Sequence, residues 1–389
     1  MNESSKRDAA IVLSGGGINA VLLELGFLKR LRGDPIWSRV GWIYGTSAGA
    51  LAGTMAALDR LDDLEDFLLG IQPEDAFRPR PVWRLPGGPH DYTLPATIAG
   101  RIGGPYELGS ALAAAEIELV VFATDVSDHP SADENRDFEL RYPAHSTEPE
   151  AMGHAILASA AISGLVLPVS MNGVVATDGG WVRNFPFEHA YRNPDVAAIA
   201  AFRYVPSYRP TDLTYLKRAR ERLERFRAVP PVGALLAEVR LAQERAERGE
   251  PAHYGEMIVR LMRVSFARNV VLEERLADER ETSVLELRRL REDVVGAAVA
   301  AAPPWRRRRL RSELEARFVS ARFPFRHERH VPTLIVRGTP GDDSLDPTFR
   351  SAEWPEETKR ALIERGYRLT DEALAQGHAA FDVPGDAHG

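Results

Sequence analysis

Between residue 9 and about residue 205, short apolar runs alternate with stretches of helical periodicity, and that alternation leaves few ways to fold. Residues 9–13, 40–44, 117–123, 174–176 and 197–202 are brief and mostly apolar, the mark of buried strands. Residues 21–31 instead place Leu22, Leu25, Phe27, Leu28 and Leu31 at helical spacing, and residues 48–58 read as the next helix. Strand and helix in turn predict an α/β sheet linked by crossover helices.

Beyond residue 211 the text changes. Arg, Glu, Ala and Leu dominate to residue 318 with the period of amphipathic helices, divided by Pro230-Pro231, Gly249-Glu250-Pro251 and Pro303-Pro304. Strand character returns at 331–336, followed by a helix at 356–366 and a further short one at 369–374. Two units are therefore expected. Residues 8–205 form the first, and residues 211–389 form a helix-rich region with one late strand, packed on it. Residues 77–101 hold Pro, Gly and Arg with Trp83 and Tyr92, and predict no regular element: a surface excursion, or a lid.

Composition removes several function classes. A net charge of −7 gives no reason to expect a nucleic-acid partner. The absence of cysteine excludes disulfides, thiolate metal sites and a cysteine nucleophile. No clustered metal-binding motif occurs, so neither a metal nor a cofactor is expected. The first ten residues lack the apolar core of a secretory signal, and no run of about 18 apolar residues could span a bilayer. The expected location is cytoplasmic, with any membrane contact peripheral.

Chemistry concentrates at three turns. Ser14-Gly15-Gly16-Gly17-Ile18-Asn19-Ala20 joins the first strand to a helix, where glycines allow close approach and free N–H groups favour negative charge. The same residues satisfy a dinucleotide fingerprint, but the second strand closes on Gly45-Thr46-Ser47 rather than the acidic residue that would hold a ribose. Gly45-Thr46-Ser47-Ala48-Gly49 is G-x-S-x-G between strand and helix, the setting of an exposed nucleophile on a strained elbow; its bland reading is a helix-capping serine. Such a serine needs a base. Asp178, in Thr177-Asp178-Gly179-Gly180, closes a strand and is left uncrowded by two glycines, although an Asx-turn would use the same residue. His189 reads as a surface or core histidine, while His327 and His330 remain alternative triad members.

Together these turns resemble the patatin-like phospholipase family. Ser14-Gly15-Gly16-Gly17, the elbow at 45–49 and Asp178-Gly179-Gly180 occur in the family's order. Phe122-Ala123-Thr124-Asp125, ILASAAISGLVLP at 156–168 and the run from Asp178 through Asn184 to Pro186 match its connecting text. The resemblance covers residues 8–205. It implies a three-layer α/β/α fold with a mostly parallel central sheet, and a serine acyl-ester hydrolase acting on lipid or phospholipid esters. It also implies Ser47 as nucleophile, Asp178 as general base, and Gly15, Gly16 and Gly17 as the oxyanion hole. Gly45, Gly49, Gly179, Gly180 and Asn19 would support them. Two departures stand out. Asn19-Ala20 replaces a basic residue and a glycine, leaving the Asn19 amide as a donor, and Ser163 replaces a common proline.

Trp305-Arg306-Arg307-Arg308-Arg309-Leu310-Arg311 is a basic run beside an aromatic, suited to anionic headgroups or to pairing with Glu313 and Glu315. The second functional reading is a non-catalytic scaffold that binds a protein partner through its helical C-terminal half.

Overall fold

The computed structural model describes residues 7–80, 90–128, 138–206, 214–226, 229–251, 254–321, 330–341, 345 and 353–376. Ala9–Leu13 (β1) is a five-residue strand buried along its whole length. Because side chains alternate across a strand, Ala9, Ile11 and Leu13 enter one core and Ala10 and Val12 another. A strand with two cores must be central. β1 lies between Val40–Thr46 (β2) and the later strand Ala198–Tyr204, both parallel to it.

Further strands are Phe77–Pro79 (β3), His90–Tyr92 (β4), Glu118–Asp125 (β5), Glu139–Pro143 (β6), Val169–Met171 (β7), Val174–Asp178 (β8), Ala198–Tyr204 (β9) and Thr333–Gly338 (β10). Eight of these strands form the main sheet in the order β10-β9-β1-β2-β5-β8-β7, with β6 also on β5. The run from β10 to β5 is parallel; β6, β7 and β8 join antiparallel. β3 and β4 make a separate two-stranded ribbon.

The first helices are Gly17–Arg32 (α1), Ala48–Ala57 (α2), Leu61–Gly70 (α3), Pro73–Ala76 (α4), Leu94–Arg101 (α5), Pro105–Ala113 (α6), Pro149–Ser159 (α7) and Phe187–Arg192 (α8). Then come Thr214–Glu224 (α9), Pro230–Glu247 (α10), Tyr254–Ala301 (α11), Pro304–Ser320 (α12) and Glu356–Ala375 (α13). α1, α2, α3 and α13 bury their apolar faces on one side of the sheet. On the other side, Phe187 and Tyr191 of α8 meet Val270 and Ala277 of α11. Helices on both faces of a mixed, mostly parallel sheet give three layers.

Two features bind the C-terminal segment into this sandwich. Strand β10 extends the main sheet beside β9. Helix α13 crosses α1 at backbone contact: a Cβ on Gly366 would stand 2.0 Å from the Leu23 carbonyl oxygen, and one on Gly26 2.0 Å from that of Ile363. Buried Lys359 then donates its ammonium to the carbonyls of Leu69 and Ile71 at the end of α3, where cations are favoured.

The structure departs from the sequence expectation at several points, the short strands β6 and β7 among them. Residues 77–101, expected to lack regular structure, hold β3, β4 and α5; Pro95 sits in the first turn of α5, where its missing N–H costs nothing, while Trp83 lies outside the described residues. The last helix runs unbroken through Gly366, which is retained for close approach rather than as a stop. The late strand begins at Thr333, not at 331.

Candidate active site

The site begins with a strained residue. Ser47 leaves β2 with φ 54° and ψ −116°, a region that side chains other than glycine avoid at a cost of about 1–3 kcal/mol. Its neighbours over-determine that shape. A Cβ on Gly45 would fall 2.4 Å from the Gly49 carbonyl oxygen, and one on Gly49 would strike Leu13 at 2.6 Å. The Ser47 carbonyl accepts from the N–H groups of Ala50 and Leu51, starting α2. Ser47 thus heads its helix without capping it by its side chain, which the bland reading required.

That free hydroxyl donates to Asp178 Oδ2 at 2.6 Å, across 131 residues of sequence. Asp178 closes β8 and is almost wholly buried. Its other oxygen, Oδ1, accepts the Gly180 N–H at 2.7 Å, so the Asx-turn and the serine contact coexist, one oxygen each. Burial pushes the Asp178 carboxyl up to about 6, against the opposing pull of the Ser47 hydroxyl and the Gly180 N–H. A carboxyl shifted this way is a stronger base than a solvated one.

Glycines let the surrounding chain close in. A Cβ on Gly179 would meet the Phe122 carbonyl oxygen at 2.3 Å. Thr124 donates to the Asp178 carbonyl at 2.8 Å, tying the turn to β5. Asn184 holds two turns together: its carbonyl accepts the Gly15 N–H at 3.0 Å, and its Oδ1 occupies the space a Cβ would need on Gly15 or Gly180.

These contacts revise the glycine turn. Gly15 lies beside Ser47, but its N–H is committed to Asn184, so it is not a free donor. Gly17, at φ 66°, opens α1, and the first-turn amides of a helix have no acceptor within it. Asn19 does not serve this corner either. Its amide donates to the Leu345 carbonyl at 2.5 Å and accepts the Leu345 N–H at 3.0 Å, a two-bond clamp on the chain after β10. Ser163 bonds the Thr177 hydroxyl at 2.5 Å, beside Asp178.

The histidines go elsewhere. His189 pairs with Glu139 at 2.6 Å and lies against Phe122, and His330 pairs with Glu281 at 3.0 Å. His327 lies outside the described residues. Among the described residues no group of three or more His, Asp or Glu side chains could hold a metal ion.

Helix α11 reaches this site from the other layer. Asn269 donates to the Trp181 carbonyl at 2.7 Å, and Phe266 meets the Trp181 ring edge-on. Glu273 accepts from Arg183 at 2.9 Å and from the Phe185 N–H at 2.7 Å. Arg183 also binds Glu139 at 2.6 Å, and its carbonyl accepts the Thr46 hydroxyl at 2.7 Å.

Residues 11–191 match the family model described as patatin-like phospholipase. The chain carries a patatin-like phospholipase domain. That family is one of lipid acyl hydrolases, which cleave carboxylic esters. The crystal structure of VipD from Legionella pneumophila is similar at 12% identity and a TM-score of 0.41, over 96% of this chain and 68% of that one. No curated protein matches the chain by sequence. In the patatin-like domain, sequence reading passed over Ser159, Thr124 and the positional role of Asn184. Ser159 and Thr124 are short polar side chains inside otherwise apolar or small-residue runs, the available signal that a buried hydroxyl has a partner to satisfy.

Proposed function

We propose that this protein hydrolyses acyl esters of lipids through a Ser47–Asp178 dyad, a phospholipase A or lysophospholipase type of reaction. The observation that carries the reading is the 2.6 Å contact between Ser47 Oγ and Asp178 Oδ2 on a strained, glycine-flanked elbow. Ser47 Oγ attacks the acyl carbonyl carbon while its proton passes to Asp178. The resulting oxyanion is held by the amides of Gly16 and Gly17, at the positive end of the α1 dipole. Collapse expels the alcohol, which takes the proton back from Asp178 and leaves an acyl-serine. Asp178 then draws a proton from water, whose oxygen attacks the acyl carbon; collapse breaks the bond to Ser47 Oγ, which takes that proton back from Asp178 as the fatty acid leaves.

The catalytic unit in this reading is residues 8–205, completed by β10 and α13. The intervening helices 214–320 hold the Asp178 turn from one side and expose apolar surface on the other. Trp305, 85% exposed at the tip before four arginines, suits peripheral contact with a lipid interface from the cytoplasmic side. Among the described residues no helix is long and apolar enough to cross a membrane.

The test is turnover of a chromogenic acyl ester by purified wild type, Ser47→Ala and Asp178→Asn. Each variant should lose on the order of 10⁴-fold or more in kcat with its fold intact. A non-catalytic scaffold would show no turnover above background even in the wild type.

A further inference from the structure

The nucleophile's backbone N–H has an unusual partner. In regular parallel pairing Thr46 of β2 stands opposite Phe122 of β5, and Ser47 then leaves the ladder at its strained φ. An N–H released this way inside a core needs an acceptor, or it costs about 1–3 kcal/mol. The acceptor is Ser159 Oγ, at 2.8 Å. The same hydroxyl donates its proton to the Phe122 carbonyl at 2.6 Å. One fully buried oxygen thus stands as a spacer between nucleophile and strand.

Ser159 is the last residue of α7, and the turn that follows grips the other half of the pair. The Ala161 carbonyl accepts the Asp178 N–H at 3.0 Å and the Thr177 hydroxyl at 2.8 Å. Ser163 closes the turn on that same Thr177 hydroxyl. One short turn therefore reaches both partners of the contact, Ser47 through Ser159 and Asp178 through Ala161.

We propose that Ser159 is a positioning residue for Ser47, and that the turn over residues 159–163 sets the separation of nucleophile and base. The proposal rests on the dyad reading above. It has a second consequence: with its N–H spent on Ser159, Ser47 does not itself donate to the oxyanion.

Two measurements test it on the full chain, steady-state kinetics and backbone hydrogen exchange at the Ser47 amide. Ser159→Ala should lower kcat on the order of 10²-fold with KM within about twofold, because the reacting oxygen is misplaced while substrate binding is untouched. Its Ser47 amide should exchange faster than in wild type. Ser159→Thr keeps the hydroxyl and should restore both readouts most of the way; Ser159→Cys, a weak donor and acceptor of similar size, should fall between. A Ser159→Ala protein with wild-type kcat and an equally protected Ser47 amide would overturn the proposal, as would equal losses of kcat in the Ala and Thr variants. Exchange does not depend on catalysis, so the same comparison in a Ser47→Ala background still reads the contact if the dyad assignment itself fails.

Discussion

The α/β sandwich and the helices between β9 and β10 bury their side chains by different rules. In the sandwich, β1 is buried end to end and α1 exposes little beyond its last turn. In the helical region α12 buries no residue, and fifteen of the twenty large apolar side chains exposed among the described residues lie between 226 and 319. Yet the two are not independent. Val270 and Ala277 of α11 supply part of the sandwich's second core, and Asn269 and Glu273 hold the turn after Asp178. The lesson is that close apolar packing sets the geometry of the sandwich, while a few buried polar contacts fasten the arm to it.

Identical substitutions should separate the two regions most sharply. Gly366→Ala drives a methyl into the Leu23 backbone and should destabilise the protein by about 3 kcal/mol or more, read by chemical denaturation. A neutral result would mean that α13 merely lies on the surface. In the arm, nothing lies within 4 Å of a Cβ on Gly296, so Gly296→Ala should stabilise by up to about 1 kcal/mol through helix propensity. Opposite signs are the expected outcome.

A buried carboxyl sharpens the contrast further. Glu24, in α1, is fully buried without a well-formed hydrogen bond, and burial raises it well above its usual 4.5 against the opposing pull of the Ser14 backbone. With the folded value raised, wild-type stability is fully present below pH 4.5 and is lost as pH rises through the folded value. Glu24→Gln removes the titration, so its melting temperature should gain on wild type as pH rises above about 4.5. A gap that stays flat with pH would show that the carboxyl is solvated. Trp305→Ala, at the exposed tip of the arm, should leave the melting temperature within about one degree, since surface changes cost little.

Much of this was legible in the sequence because burial on two faces writes itself as unbroken apolar runs. β1, β2 and β5 are such runs, and the three glycine-bearing turns follow their strands at the expected places. Short strands such as β6 and β7 were not legible, since Glu139–Pro143 is only half-buried and carries charge. The meeting of Ser47 with Asp178 follows from strand order, which no local pattern encodes. Asn19 shows the limit most clearly. From its neighbours it reads as a donor to the reacting centre, but its partner is Leu345, 326 residues away.

The most direct test of the dyad is the rate at which a fluorophosphonate phosphonylates the protein with loss of fluoride, followed by mass spectrometry across pH. The account predicts one adduct, on Ser47, whose rate climbs as Asp178 loses its proton near pH 6 and then levels, and which disappears in Asp178→Asn. An adduct on another residue, or labelling of Ser47 that Asp178→Asn leaves unchanged, would contradict it.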